Sequence, residues 1–167
     1  MHVPAMRRAS YQDIIDLPPH QVGEIIDGEL FVQPRPAVPH TRAASALGFL
    51  LGPPFDLGGG SGPGGWIILL EPELHFPNGI DRDVLVPDLA GWRREHMPEP
   101  PRSPYLTLAP DWVCEVLSPS TTIHDRTRKM NAYAREGVRR LWFVEPERRT
   151  LEVFRLEETR WAVVQVF

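Results

Sequence analysis

Two acidic residues stand where an ordinary strand would carry none. In VLVPDLAGW, residues 84–92, Asp88 is the one charge among apolar neighbours, and in WVCEVL, residues 112–117, Glu115 is equally alone. Strands this apolar are covered on both faces. A carboxylate inside one costs several kcal/mol unless it is protonated, paired or bound to a cation. Neither segment contains a basic partner. Taken singly, each acid is explained as well by a strand end that reaches water; taken together, they favour a divalent metal site. Oxygen donors of this kind select Mg²⁺, Mn²⁺ or Ca²⁺ over zinc.

A third group lies downstream. Asp125, Lys129 and Tyr133 repeat at i, i+4 and i+8 along a predicted helix over 122–135, while Ile123, Met130, Ala134 and Gly137 form its predicted apolar stripe. Lys129 falls on the flank of that stripe, where its amine could reach the sheet edge from which Asp88 and Glu115 project. An Asp125–Lys129 surface pair contributing about 0.3–0.5 kcal/mol explains the same spacing. Lys129 is also the only lysine in a chain with 17 arginines. That lone ammonium either is an accident of composition or sits where a planar, permanently charged guanidinium would not serve.

The elements that must position these groups follow from periodicity and breakers. The 167 residues, 42% apolar and 24% charged, suit a single domain over 1–167. Prolines and glycines cluster in GPPFDLGGGSGPGG (52–65) and PEPPRSP (98–104), which read as loops, the first mobile and the second extended. A capped helix is predicted at 10–16, a hairpin turning on Asp27-Gly28 at 22–33, and a helix at 40–51. Strands follow at 66–76, 84–92 and 112–117. The 122–135 helix has Thr122 and Asp125 at capping-box spacing and Gly137 at its stop. A strand at 141–145 and a closing hairpin of 151–155 with 161–167 complete the order. The fold class is α/β (α+β), a mixed sheet flanked by helices with a hairpin added at each end.

Several classes are excluded or weakened. The single cysteine, Cys114, rules out an internal disulfide or a multi-cysteine zinc site, and the six histidines show no HExxH pattern. No apolar run approaches the roughly 20 residues that span a bilayer, and the start MHVPAMRRAS has no signal-like apolar region, so no membrane and a cytoplasmic location are expected. The net charge of −4 excludes a uniformly basic nucleic-acid coat, yet residues 124–149 hold eight basic against four acidic side chains.

The segments VPDLAGW, PDWVCEVLSPST and DRTRKMNAYAREGVRRLWFVEPE, in that order, resemble the restriction-endonuclease domain family common in bacteria, a branch of the PD-(D/E)XK nuclease superfamily. The likeness runs from about Tyr11, through EIIDGELF and the helix opening at His40, to Glu145. It implies a restriction endonuclease-like core. Asp88 then matches the acid of the PD half-motif, and Glu115 the acid of (D/E)XK. The lysine of that motif would fall at position 117, which is Leu117; the resemblance places it instead at Lys129 on the following helix. Glu73, in LLEPELHF, and Glu29, in the first hairpin, are candidates for a further acidic ligand. His40, Ser118 and Asp125 are candidate accessory residues.

The implied activity is hydrolysis of DNA phosphodiester bonds with Mg²⁺ or Mn²⁺ held by Asp88 and Glu115 and with Lys129 as the third catalytic group. Arg126, Arg128 and Arg135 would contact flanking phosphates or form a solvated face. Homodimerisation, using the apolar WAVVQVF edge, follows by analogy. Leu117 and the acidic charge motivate an alternative, a catalytically inactive nucleic-acid-binding or scaffold module on the same fold. A sugar hydrolase would need its two acids facing across an open cleft without a metal.

Overall fold

A computed structural model describes residues 7–58, 62–77, 83–119 and 121–167. A short helix α1 (Tyr11–Ile15) precedes the hairpin β1 (Gln21–Ile26) and β2 (Glu29–Pro34). Asp27 and Gly28, both at positive φ (54° and 78°), make the expected tight turn. Helix α2 (Val38–Leu51) runs into a π-helical turn (Gly52–Asp56). The first five residues of the glycine-rich segment are therefore helical, and 59–61 lie outside the described residues. Strands β3 (Trp66–Leu70), β4 (Leu74–Phe76), β5 (Asp83–Leu85), β6 (Leu89–Arg93) and β7 (Trp112–Val116) follow. Next come α3 (Thr122–His124), a π-helical turn (Asp125–Lys129), α4 (Met130–Arg135), β8 (Arg140–Glu145), β9 (Thr150–Glu157) and β10 (Arg160–Val166).

The expected α+β arrangement is present, but it contains two sheets. One has the order β2-β1-β5-β4 and the other β10-β9-β8-β7-β6-β3. The predicted strands 66–76 and 84–92 each break in two, at Glu71-Pro72 and Val86-Pro87, and pass from one sheet to the other. Both prolines are buried. A proline has no N–H to offer a ladder, so a continuous apolar run is interrupted where one occurs. Asp88 thus sits at a junction between sheets, outside any strand. The two sheets share one core, in which Ile26, Leu74, Phe76 and Leu85 meet Ala90, Trp92, Val113, Leu141 and Phe143.

All neighbouring strands are antiparallel except β7 and β8. A parallel pair needs a crossover, and here the crossover is the 122–135 helical run. It carries Lys129 back over the face from which Glu115 projects.

That run differs from its sequence reading in three ways. Thr121, not Thr122, is the N-cap; the Thr122 hydroxyl donates to the Ser118 carbonyl at 2.7 Å, and Asp125 donates its N–H to the Thr121 carbonyl at 2.9 Å. Ile123 is exposed, whereas Asp125, Lys129, Ala132 and Tyr133 are buried. The wide π turn inserts a residue into the helical repeat and turns Asp125 and Lys129 inward. Gly137 does end the run, at φ 76°. Gly137→Ala should cost about 1–2 kcal/mol of left-handed backbone strain, read as a melting temperature lower by about 3–6 °C.

Candidate active site

A cavity of about 500 Å³ opens where the sheets part, lined on its functional side by His40, Glu71, Glu73, Asp88, Glu115, Ser118, Asp125 and Lys129. Strand alternation assigns Glu115 its direction. Trp112 and Cys114 pack on the α2 side of β7, whereas Val113 belongs to the core on the other side, and Glu115 shares that second face. Cys114 is buried, which raises its thiol pKa well above the usual range and suits a core residue, not a nucleophile.

Lys129 is the centre of the arrangement. Its Nζ lies 2.8 Å from Glu115 Oε1, 3.0 Å from Glu24 Oε1 and 3.7 Å from Asp125 Oδ1. All four residues are buried. The surface-pair explanation of Asp125 and Lys129 is therefore wrong: the pair is enclosed, and its main partners lie elsewhere in the sequence. The Tyr133 hydroxyl donates to Glu115 Oε1 at 2.5 Å. Both contacts fall on Oε1, so among the described residues Oε2 remains to accept another ligand.

Burial sets the electrostatics. It opposes charge on Lys129, but the carboxylates of Glu115 and Glu24 outweigh it and hold the ammonium well above its usual pKa. Burial also opposes charge on Glu24, yet Lys129, His124 and the Val86 N–H keep it low, at about 2. Glu115 goes the other way: burial and the acids around it outweigh Lys129 and push it well above the carboxylate range. Asp125 is also raised, chiefly by burial. The cluster has more acid than its one ammonium can neutralise.

Asp88 is held from two sides. Its Oδ2 accepts the Val116 N–H at 2.7 Å, which places it beside Glu115, and its Oδ1 lies 3.2 Å from His40 Nε2. Burial disfavours a charged His40 ring, but the bond to Asp88 and its charge prevail and raise the imidazole pKa.

The remaining candidates divide. Glu73 is in the cavity wall, where its Oε1 accepts the Tyr11 hydroxyl at 2.7 Å and lies 2.7 Å from His75 Nε2. Ser118 is in the wall beside Thr121, with their hydroxyls 3.0 Å apart; Ser120 lies outside the described residues. Glu29 is exposed and pairs with Arg128 at 3.2 Å, so it is not a ligand of this cavity. Arg126 is bound by Glu152 and lies over Phe143, and Arg135 is bound by Asp83 and Asp27. None of the three arginines lines the cavity. Leu117 is buried in the core.

Three residues go beyond the sequence candidates: Glu24, Glu71 and Arg35. Glu24 carries the same signal as Asp88, an acid against an apolar run in VGEIIDG, on the hairpin that also holds Glu29. Arg35 lines the cavity and donates to the Pro19 carbonyl at 3.1 and 3.3 Å; nothing in its local sequence marked it.

The donor chemistry fits a hard divalent ion. Among the described residues no cage of three or more His, Cys, Asp or Glu groups is formed. Mg²⁺ typically uses one or two carboxylates and completes its shell with water and substrate phosphate. Asp88 and Glu115 supply that number.

The profile of the Uma2 family, described as "Putative restriction endonuclease", matches residues 9–167. The crystal structure of a protein from Anabaena variabilis, described as a "putative nuclease", superposes with a TM-score of 0.66 at 20% identity, covering 93% of this chain and 83% of that one. That likeness supports the restriction endonuclease-like fold. No curated protein matches the chain. Among the described residues, no helix is long and apolar enough to cross a membrane.

Proposed function

Because the chain belongs to the Uma2 family, whose description is that of a restriction endonuclease, we propose that it is a metal-dependent endonuclease hydrolysing DNA phosphodiester bonds with Asp88, Glu115 and Lys129. The observation that carries this reading is the meeting, in one cavity, of the junction carboxylate Asp88, the β7 carboxylate Glu115 and an ammonium 2.8 Å from the second. Mg²⁺ or Mn²⁺ bound by Asp88 and Glu115 supplies Lewis acidity and lowers the pKa of water.

The protein's own groups do the rest. His40 and the Val116 N–H fix the Asp88 carboxylate. Tyr133 and Lys129 hold Glu115 through Oε1, so that Oε2 would be the oxygen offered to a metal. The Lys129 ammonium orients the attacking water by hydrogen bonding and offsets negative charge developing on the phosphate. Glu24 and Asp125 anchor that ammonium, so little reorganisation accompanies reaction.

Incubating labelled DNA with Mg²⁺ or Mn²⁺ should give cleavage by the wild type and none by Asp88→Ala. Cleavage that survives the substitution would rule out this site. In a separate melting experiment, Mg²⁺ at about 100 times its dissociation constant should stabilise the wild type by about 2.7 kcal/mol. Asp88→Ala should remove most of that shift.

A further inference from the structure

The groups assigned to chemistry are sunk below the surface. The side chains of Glu115 and Lys129 are each 3% exposed, and those of Asp88 and His40 are 12% and 14% exposed. Two segments contribute walls to the cavity, Pro34, Arg35, Pro36 and Ala37 in the first and Ser118, Pro119 and Thr121 in the second. Proline fixes φ in the first wall, and the Arg35 bonds to Pro19 anchor it. About 500 Å³ is the size of a pocket for one small-molecule-sized group, which matches one nucleotide. An intact duplex is far wider and holds its phosphates on a stiff rod.

Beside this cavity is an aromatic group. Glu73 in the wall binds both Tyr11 and His75. The His75 ring stacks on Tyr105 with centroids 4.1 Å apart at 18°, and Tyr11 meets His75 edge-on at 4.8 Å. The platform is held by backbone bonds: His75 N–H donates to the Leu106 carbonyl and Leu106 N–H to the Glu73 carbonyl, at 2.8 and 2.9 Å. Tyr11 and Tyr105 nevertheless remain 37% and 36% exposed. Aromatic rings beside a backbone site bind unpaired bases, because every base has a π face that a duplex keeps stacked internally.

Resting on the nuclease reading above, we infer that the substrate is a single-stranded segment of DNA, one nucleotide of which enters the cavity while a neighbouring base stacks at Tyr105. The recessed metal-ligand pair is then reached by a flexible strand and not by duplex.

The test compares a labelled single strand, the same strand in a blunt duplex, and a duplex bearing a single-stranded tail, each with Mn²⁺. Anisotropy with the Glu115→Gln variant gives a binding readout free of cleavage. The single strand and the tail should be cut, and the single strand bound, at least about 10-fold better than the blunt duplex. Tyr105→Ala should raise KM and weaken binding about 10-fold with kcat little changed, and Tyr105→Phe should restore both. Equal cutting of duplex and single strand, or an unchanged KM in Tyr105→Ala, overturns this inference and leaves the nuclease reading standing. Cleavage of none of the three DNAs overturns both.

Discussion

Lys129→Met should destabilise the protein by about 3–5 kcal/mol, because it leaves the ionised Glu24 buried without its counter-charge and takes a hydrogen-bond donor from Glu115. That is a large part of the 5–15 kcal/mol that keeps a typical domain folded. Methionine approximates the lysine stem, so loss of packing contributes little, and the effect reports on charge. Urea unfolding followed by tryptophan fluorescence measures it. The double variant Glu24→Gln with Lys129→Met separates stability from chemistry. Removing both ends of the Lys129–Glu24 pair should recover much of the lost stability, since neutral replacements of buried pairs are commonly tolerated. DNA cleavage should stay absent, because the ammonium is still missing. Cleavage restored along with stability would reduce Lys129 to a structural role.

Glu115→Gln should have the opposite profile. Glutamine keeps the size of the side chain and an oxygen that can accept the Tyr133 hydroxyl, while Lys129 retains Glu24 and Asp125. It also removes a carboxylate that burial and neighbouring acids hold well above its usual pKa. In EDTA the variant should melt at the wild-type temperature or above it. Its cleavage rate should fall about 10³-fold, the size expected when several kcal/mol of transition-state charge stabilisation is lost. A stable variant with undiminished cleavage would remove Glu115 from the catalytic set. The contrast between these substitutions is the mark of a site that accepts electrostatic strain for function.

The site was readable in the sequence to different depths. Asp88 and Glu115 stood out because the cost of placing an acid in an apolar run is local and visible without a fold. Glu24 carries the same mark, whereas Glu29, the candidate on that hairpin, lies on the surface with Arg128. The helix flank that holds Lys129 was legible in outline, but the π turn buries Asp125 and Lys129 while leaving Ile123 of the expected apolar stripe exposed. The basic character of 124–149 left both phosphate contacts and a solvated face open. Arg126, Arg128 and Arg135 instead bind acids at Glu152, Glu29, and Asp83 with Asp27.

By itself, the sequence determined the order of the elements, the turn at Asp27-Gly28, the stop at Gly137 and the two anomalous acids. Each depends on backbone preference or hydrophobic pattern over a few residues. The tertiary structure decided that two strands divide at their prolines between sheets, leaving Asp88 at the junction. It also decided that the β7–β8 crossover carries Lys129 over Glu115, with Glu24 arriving from the first hairpin. The charge of Lys129 has meaning only through partners 14 and 105 residues away in sequence. Coulomb energy and desolvation depend on distance in space and on the surrounding medium, and the fold sets both.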